Sequence, residues 1–320
     1  MPFTAYNLSA GDRSEKNKFV ANSLRNGKSD FCLVASRQAP SISGMASVEE
    51  NIAVWDQDYD WNQGGEEWSE SWGNSEMQWH GCLLPRIHSF VPARRILEIA
   101  PGFGRWTRFL KDSCESLTVV DVSEKCVQHC RRRFADRSHI DYVVNDGKSL
   151  EMIPERSVDF VCSFDSLVHA PPEVLEAYLA QLATRLSPDG VGFIHHSNAG
   201  HYATYFSLVK RLPRGRRWLS NLGILNHDHW RDLEMTAERF SQYCSRVGLS
   251  CISQELLNWG GRFLIDSFSV FTLKGSRWDR PHRMLANRDF MRAADHLRQI
   301  ADLYTNGSDT CSRTTSATER

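Results

Sequence analysis

Residues 96–110 read I-L-E-I-A-P-G-F-G-R-W-T-R-F-L: a short apolar run, a Pro/Gly turn, then a helical pattern with Trp106, Phe109 and Leu110 on one side. Gly102 and Gly104 permit dihedrals closed to other residues and let the backbone approach a bound molecule, while the helix that follows points free N–H groups at it. The chemistry of such a turn is ligand binding. Acids recur where the next apolar runs end: Asp121 with Val122 closes 117–122, and Asn145-Asp146-Gly147 follows 140–144. An acid at the tip of a second strand can accept two hydrogen bonds from a ribose diol. Three histidines stand at the ends of later runs, His169 just past 157–164, and His195 and His196 closing 191–196. Imidazole titrates near neutrality and can take a proton from a reacting group.

Positioning these residues requires strands that end together. A helix over 77–90 leads into the first strand, a second helix spans 123–134, and Pro171-Pro172 opens a third that runs to about residue 186. A turn at S-P-D-G, 187–190, then leads into the strand 191–196. Five strands alternating with helices predict a parallel, doubly wound α/β sheet with ligands at the C-terminal strand ends. The stretch 198–230 breaks the alternation and reads as an insertion on the substrate side; it carries Lys210, Arg211, Arg214, Arg216 and Arg217, a solvated basic loop, and the pair His227 and His229. Thr236 caps a helix to about residue 247, and Gly248 stops it. Strands over 251–258 and 263–273, joined by W-G-G-R, form a terminal antiparallel hairpin, giving seven strands; a helix over 287–304 and a Ser/Thr-rich tail complete the chain.

The expected organisation is a weakly ordered extension over 1–45, a Trp-rich cap and lead-in helix over 46–95, the main domain over 96–275 and a C-terminal helix with tail over 276–320. Five of the ten tryptophans, Trp55, Trp61, Trp68, Trp72 and Trp79, fall in the cap, interleaved with Asp56, Asp58, Asp60, Glu66, Glu67, Glu70 and Glu76. Ring faces cover sugar C–H groups while acids accept hydroxyl protons, so this composition suits carbohydrate; the same rings equally suit stapling the cap to the domain. A net charge of −1 supplies no field for nucleic acid or an anionic membrane. There is no basic-then-apolar leader and no run of membrane-span length, which predicts a soluble, cytoplasmic chain. Nine cysteines without C-x-x-C spacing predict buried free thiols.

The turn does not fit the dinucleotide fingerprint, whose small residues would fall at Ala100, Gly102 and Arg105, because a long arginine cannot replace the close-packing glycine. As acidic-x-G-x-G-x-G, with Glu98, Ala100, Gly102 and Gly104, it resembles the first motif of the class I S-adenosylmethionine-dependent methyltransferases. V-V-D-V-S-E, N-D-G, D-F-V-C-S-F-D-S-L-V-H and the final hairpin extend that resemblance. It implies a Rossmann-like seven-stranded sheet and S-adenosyl-L-methionine as cofactor: Glu98, Ala100, Gly102, Gly104 and Arg105 at the methionine moiety, Asp121 and Val122 at the ribose, Asp146 and Gly147 at the adenine, Asp165 beside the sulfonium. W-G-N-S-E-M-Q-W with P-G-F-G-R-W-T is similar to a bacterial-type subgroup associated with sugar and polysaccharide O-methylation. That implies a small-molecule or saccharide acceptor, with Trp72, Trp79, His196 and His227 as its binding residues, Asp165 among the catalytic residues, His169 as first choice of base, and His195 and His196 as runners-up, of which strand alternation lets only one point into the site. A divalent ion such as Mg²⁺ is another way to acidify a hydroxyl, with Asp165 or Glu255 as contributors, but no ligand set is legible. A small aromatic or lipid-like acceptor, and a non-catalytic interaction module, are the alternative readings.

Overall fold

The first strand, β1 (Ala93–Ile99), runs from two exposed arginines into four consecutive buried residues, the signature of a strand covered on both faces. It occupies the centre of the sheet in a computed structural model that describes residues 47–210 and 231–304. The extension 1–45, the basic residues 211–217, His227, His229 and the Ser/Thr-rich tail lie outside the described residues.

Around β1 stand β2 (Cys114–Asp121), β3 (Ile140–Val144), β4 (Val158–Ser163), β5 (Leu186–Ser197), β6 (Leu249–Leu257), β7 (Asp266–Leu273) and β8 (Arg283–Asn287), in the order β3-β2-β1-β4-β5-β7-β6-β8. The first five are parallel, and β7 is antiparallel to both β5 and β6. This is a Rossmann-like mixed sheet of eight strands rather than seven: β8 adds parallel to the outer edge of β6. Arg283, Met284, Leu285 and Ala286 are all exposed, so R-M-L-A-N shows no hydrophobic alternation. β5 also begins earlier than the S-P-D-G turn predicts, at Leu186. A register shift opposite Val158 and Phe160 absorbs the extra residues, and Gly190 lies so close to the Val158 carbonyl that a Cβ there would sit 2.6 Å from it.

Alternation sorts side chains onto two faces. Ile96, Phe160, Val191 and Phe193 join a cluster with Trp72, Trp79, Leu83, Ile87 and Phe290, covered by the helical stretch α1 (Ser75–Gln78), a wider turn Trp79–Leu83, α2 (Leu84–Ile87), and by α7 (Phe290–Tyr304). Leu97, Ile99, Val161 and Ile194 face the other way, against α5 (Pro172–Arg185) and α6 (Ala237–Arg246). Between β1 and β2 lies α3 (Thr107–Leu110), and after β2 comes α4 (Glu124–Arg133), its first turn capped by the Ser123 hydroxyl accepting from the Cys126 N–H. Thr236 caps α6 in the same way, accepting from the Arg239 N–H, and Gly248 follows the helix with a φ of 83°. The seven cysteines among the described residues are free.

Candidate functional site at the strand tips

β1 lies between β2 and β4, so strand order reverses beside it, the place where open α/β sheets take their ligands at the C-terminal strand ends. The chain leaving β1 takes three left-handed residues, Ala100, Gly102 and Gly104, with φ of 58°, 56° and 82°. Ala100 stands where the family pattern has glycine and carries the steric cost of a Cβ there; its N–H donates to the Val120 carbonyl at 2.7 Å, and its carbonyl accepts from the Ser166 hydroxyl at 2.7 Å. Gly104 is required for packing, since a Cβ would lie 2.7 Å from the Phe134 ring. Arg105 does not obstruct the helix: its guanidinium lies over Trp106, pairs with Asp165 at 2.8 Å and donates to Ser69 Oγ at 3.2 Å.

Two buried carboxylates flank this turn. Glu98, on the Ile96 face of β1, accepts from the Thr107 hydroxyl at 2.6 Å, and burial pushes its carboxyl up to about 8 against that hydrogen bond. Asp121, at the tip of β2, accepts from the Gly102 N–H at 3.1 Å and the Ser123 N–H at 2.9 Å; burial still raises it to about 6. Both groups hold protons in the folded chain that the unfolded chain has released, so their contribution to stability is lost as pH rises from about 4 to about 8. Glu98→Gln, which keeps an acceptor for Thr107, is expected to remove most of this slope in urea unfolding series across that range. An undiminished slope would place the titration elsewhere. Asp146 differs from both: it is exposed, and its Oδ1 accepts from the N–H groups of Lys148 and Ser149, which lowers its pKa. Gly147 behind it is left-handed, and Val122 borders it.

The tip of β4 carries the densest charge. Asp165 has a φ of 65°, a strained conformation for a residue with a side chain. Its carboxylate meets Arg105 at 2.8 Å and Arg231 at 3.9 Å. Arg231 in turn grips Asp266, at the start of β7, through Nε at 2.9 Å and Nη2 at 2.8 Å. Neither Arg231 nor Asp266 stands in a recognisable motif; the signal in the sequence is an aspartate opening an otherwise uncharged strand. His195 completes the group. Its Nδ1 accepts from the Asp165 N–H at 3.1 Å, which places the ring proton on Nε2, 3.1 Å from Asp266 Oδ2. Nδ1 is engaged by the backbone, Nε2 faces the Asp266 carboxylate without making a well-directed hydrogen bond, and the ring is fully buried, so His195 positions the β4 turn.

His196 points to the opposite face, as alternation requires: it stacks on Phe240 at 4.3 Å, contacts Ser197 O and Ser269 Oγ, and burial lowers it to about 4. The expectation that it binds substrate is corrected accordingly. Trp72 and Trp79 are corrected in the same way, because Trp72 is fully buried against Phe290 and Trp79 stacks on Phe109 at 4.8 Å; they staple the cap to the domain. The half-buried rings near the turn are instead Trp55, Trp61 and Trp68, grouped round Tyr59, whose hydroxyl donates to Glu67. His169 is buried beside Trp55, with ring centroids 5.6 Å apart.

Among the described residues no group of three or more His, Cys, Asp or Glu side chains is placed to hold a metal ion, and no helix is long and apolar enough to cross a membrane. Glu255, considered for a metal, spends its oxygens on Arg86 and Asn287.

Residues 96–190 match the methyltransferase domain family. Among curated proteins, squalestatin hexaketide synthase of Phoma sp. is 33% identical over 110 residues, covering 31% of this chain and 4% of that protein. Nodulation protein S of Sinorhizobium fredii is 32% identical over 71 residues, 22% of this chain and 33% of that one. The chain thus spans a third or less of the curated relatives it matches. Solved structures that resemble it include the PH0226 protein of Pyrococcus horikoshii, at 16% identity over 69% of this chain and 96% of that one with a TM-score of 0.46. N-methyltransferase NodS of Bradyrhizobium japonicum is another, at 17% identity over 62% and 96% with a TM-score of 0.42. With TM-scores below 0.5 these likenesses bear on neither substrate nor partner. The similarity to the methyltransferase domain family covers residues 96–190, which include the left-handed turn, the β2 tip and the β4 tip.

Proposed function

We propose that the chain is an S-adenosylmethionine-dependent methyltransferase that alkylates a hydroxyl of a small saccharide acceptor. The observation that carries the cofactor reading is the left-handed turn at Ala100, Gly102 and Gly104 between two buried carboxylates on adjacent parallel strand tips. Glycine at 102 supports close approach to a ligand, and the Asp121 oxygens, each holding one backbone N–H, retain lone pairs for a ribose diol. Glu98, Ala100, Gly102, Gly104 and Arg105 would hold the methionine moiety, Asp121 and Val122 the ribose, Asp146 and Gly147 the adenine, with Asp165 at the mouth. The bound cofactor supplies an electrophilic methyl on a sulfonium, open to in-line displacement. The chain's own task is alignment, and for a weak nucleophile the removal of a proton. With the His195 ring fully buried against Asp165 and Asp266 and His196 on the far face, His169 is the described histidine to test as base. Trp68 beside Glu66 and Glu67 supports a sugar acceptor, since a ring and acids adjoin there at half-buried positions.

A second reading is an amine acceptor: the buried His195 ring is held between Asp165 and Asp266, and a neutral amine attacks without a base. His169→Ala separates the two. On a saccharide acceptor we expect near-normal affinity for S-adenosylhomocysteine and turnover reduced by about a hundredfold, measured as transfer of labelled methyl. Equal turnover of variant and wild type on amines, with none on saccharides, would replace the first reading by the second. Absence of calorimetric heat with either S-adenosylmethionine or S-adenosylhomocysteine would point to a non-catalytic module.

A further inference from the structure

Residues 48–61 place a side chain on every strand tip that the cofactor reading uses. Val48, in the five-residue helix Val48–Ile52, covers Gly147 at the β3 tip, where a Cβ would lie 2.7 Å from Val48 Cγ1. Asp56 reaches the β2 tip, where its Oδ1 accepts from the Ser123 hydroxyl at 2.6 Å and the Lys125 N–H at 3.3 Å. Trp61 lies on the β1 turn: a Cβ on Gly102 would be 3.0 Å from its ring, and the ring stacks on Phe103 at 4.4 Å and 9°. Trp55 covers His169 beyond β4. The segment also holds itself together, since Trp61 Nε1–H donates to the Trp55 carbonyl at 2.9 Å and Ser47 with Glu50 forms a capping box.

We propose that residues 48–61 form a self-docked lid, with Trp61 and Val48 in the place of the cofactor, so that cofactor and lid compete for the turn. The inference rests on the cofactor reading above and extends it. The glycines carry the steric argument: the space beside Gly102 where a Cβ would stand is filled by the Trp61 indole, and that beside Gly147 by Val48. Two bodies cannot share that space. The lid is also built to leave. A five-residue helix continued by one wider turn has little stability of its own, so the contacts of Asp56 and Trp61 hold it down, and such segments open at a small fraction of the cost of global unfolding.

A lid that must withdraw makes binding wait for opening. In stopped-flow mixing with S-adenosylhomocysteine, followed by tryptophan fluorescence, the observed rate for the wild-type chain is expected to level off at high ligand, the plateau being the opening rate. Trp61→Ala should raise that plateau by about tenfold, because one stacked aromatic contact and its buried area are lost. Asp56→Asn, which weakens the hydrogen bonds at Ser123 and Lys125 without emptying any space, should raise it independently; it carries the test if the tryptophan variant fails to fold. Hydrogen exchange of the backbone amides of 48–61 should quicken when S-adenosylhomocysteine is bound. A rate that climbs linearly with ligand without levelling, or a plateau unchanged in both variants, overturns the lid while leaving the cofactor reading in place. Calorimetric silence toward S-adenosylhomocysteine in wild type and both variants overturns the cofactor reading itself, and binding by the variants alone supports the lid.

Discussion

Asp121→Ala is expected to lower affinity for S-adenosylhomocysteine by at least about a hundredfold, since two hydrogen bonds to a charged acceptor contribute about 1.5–3 kcal/mol each. The loss has a second source within the chain. Asp121 accepts from Gly102 and Ser123, so truncation leaves two buried N–H groups without that acceptor and frees the turn that its Oδ2 holds in place. Asp121→Asn keeps the shape but presents an NH₂ where the backbone already offers N–H donors, and it should fall between alanine and wild type. Because burial raises Asp121 to about 6, affinity should weaken as pH falls through that value, the carboxylate being the form that accepts both ribose protons. Asp146→Ala is the control: its carboxylate is exposed and tied to a local turn, so its effect should stay within about tenfold. Calorimetric titration of the three variants decides this, and affinity unchanged in Asp121→Ala would remove the β2 tip from the binding site.

Why Asp121 was legible and Asp266 was not follows from how each is held. Glu98, Asp121 and the glycine turn lie within 24 residues of one another, at the ends of apolar runs whose period fixes which residue reaches the tip. The cap at Thr236 is likewise set by local pattern and forms as its spacing predicts, whereas the helix read from residue 123 starts one residue later, with Ser123 as its cap. The Arg231–Asp266–His195–Asp165 group joins four elements, and no local pattern reports contacts between chain positions 30 to 71 residues apart. Orientation was the harder part even near the motifs. Alternation showed that His195 and His196 face opposite ways but not which one meets charge, and the tryptophan spacing could not separate Trp72 and Trp79, packed into the core, from Trp61, laid over Gly102. β8 escaped because an exposed edge strand has no apolar face to display.

Asp266→Ala is expected to destabilise the chain by about 3–5 kcal/mol, the cost of leaving a buried partner charge uncompensated. Asp266 is fully buried, receives Arg231 through two nitrogens and Nε1–H of Trp259, and lies 3.1 Å from His195 Nε2. Burial alone would raise its carboxyl, but Arg231 and then His195 outweigh burial and hold it well below the usual range. Its contribution is therefore complete above about pH 4, the unfolded-chain value, and erodes as pH falls below that, the opposite sense to Glu98 and Asp121. At about 2–4 °C per kcal/mol for a chain of this size, the melting temperature should drop by about 6–20 °C at neutral pH. The pairing term can be isolated from the packing term: Arg231→Met should cost less than Asp266→Ala, and Asp266→Leu combined with Arg231→Met should recover much of the loss, because an apolar pair carries no desolvation cost. The effect should also reach the site. Asp165 keeps its left-handed turn through the His195 hydrogen bond and lies 3.9 Å from Arg231, so freeing Arg231 and His195 loosens the mouth where the acceptor would enter. A melting temperature within about 2 °C of wild type for Asp266→Ala would mean that this network neither anchors β7 nor holds the β4 tip.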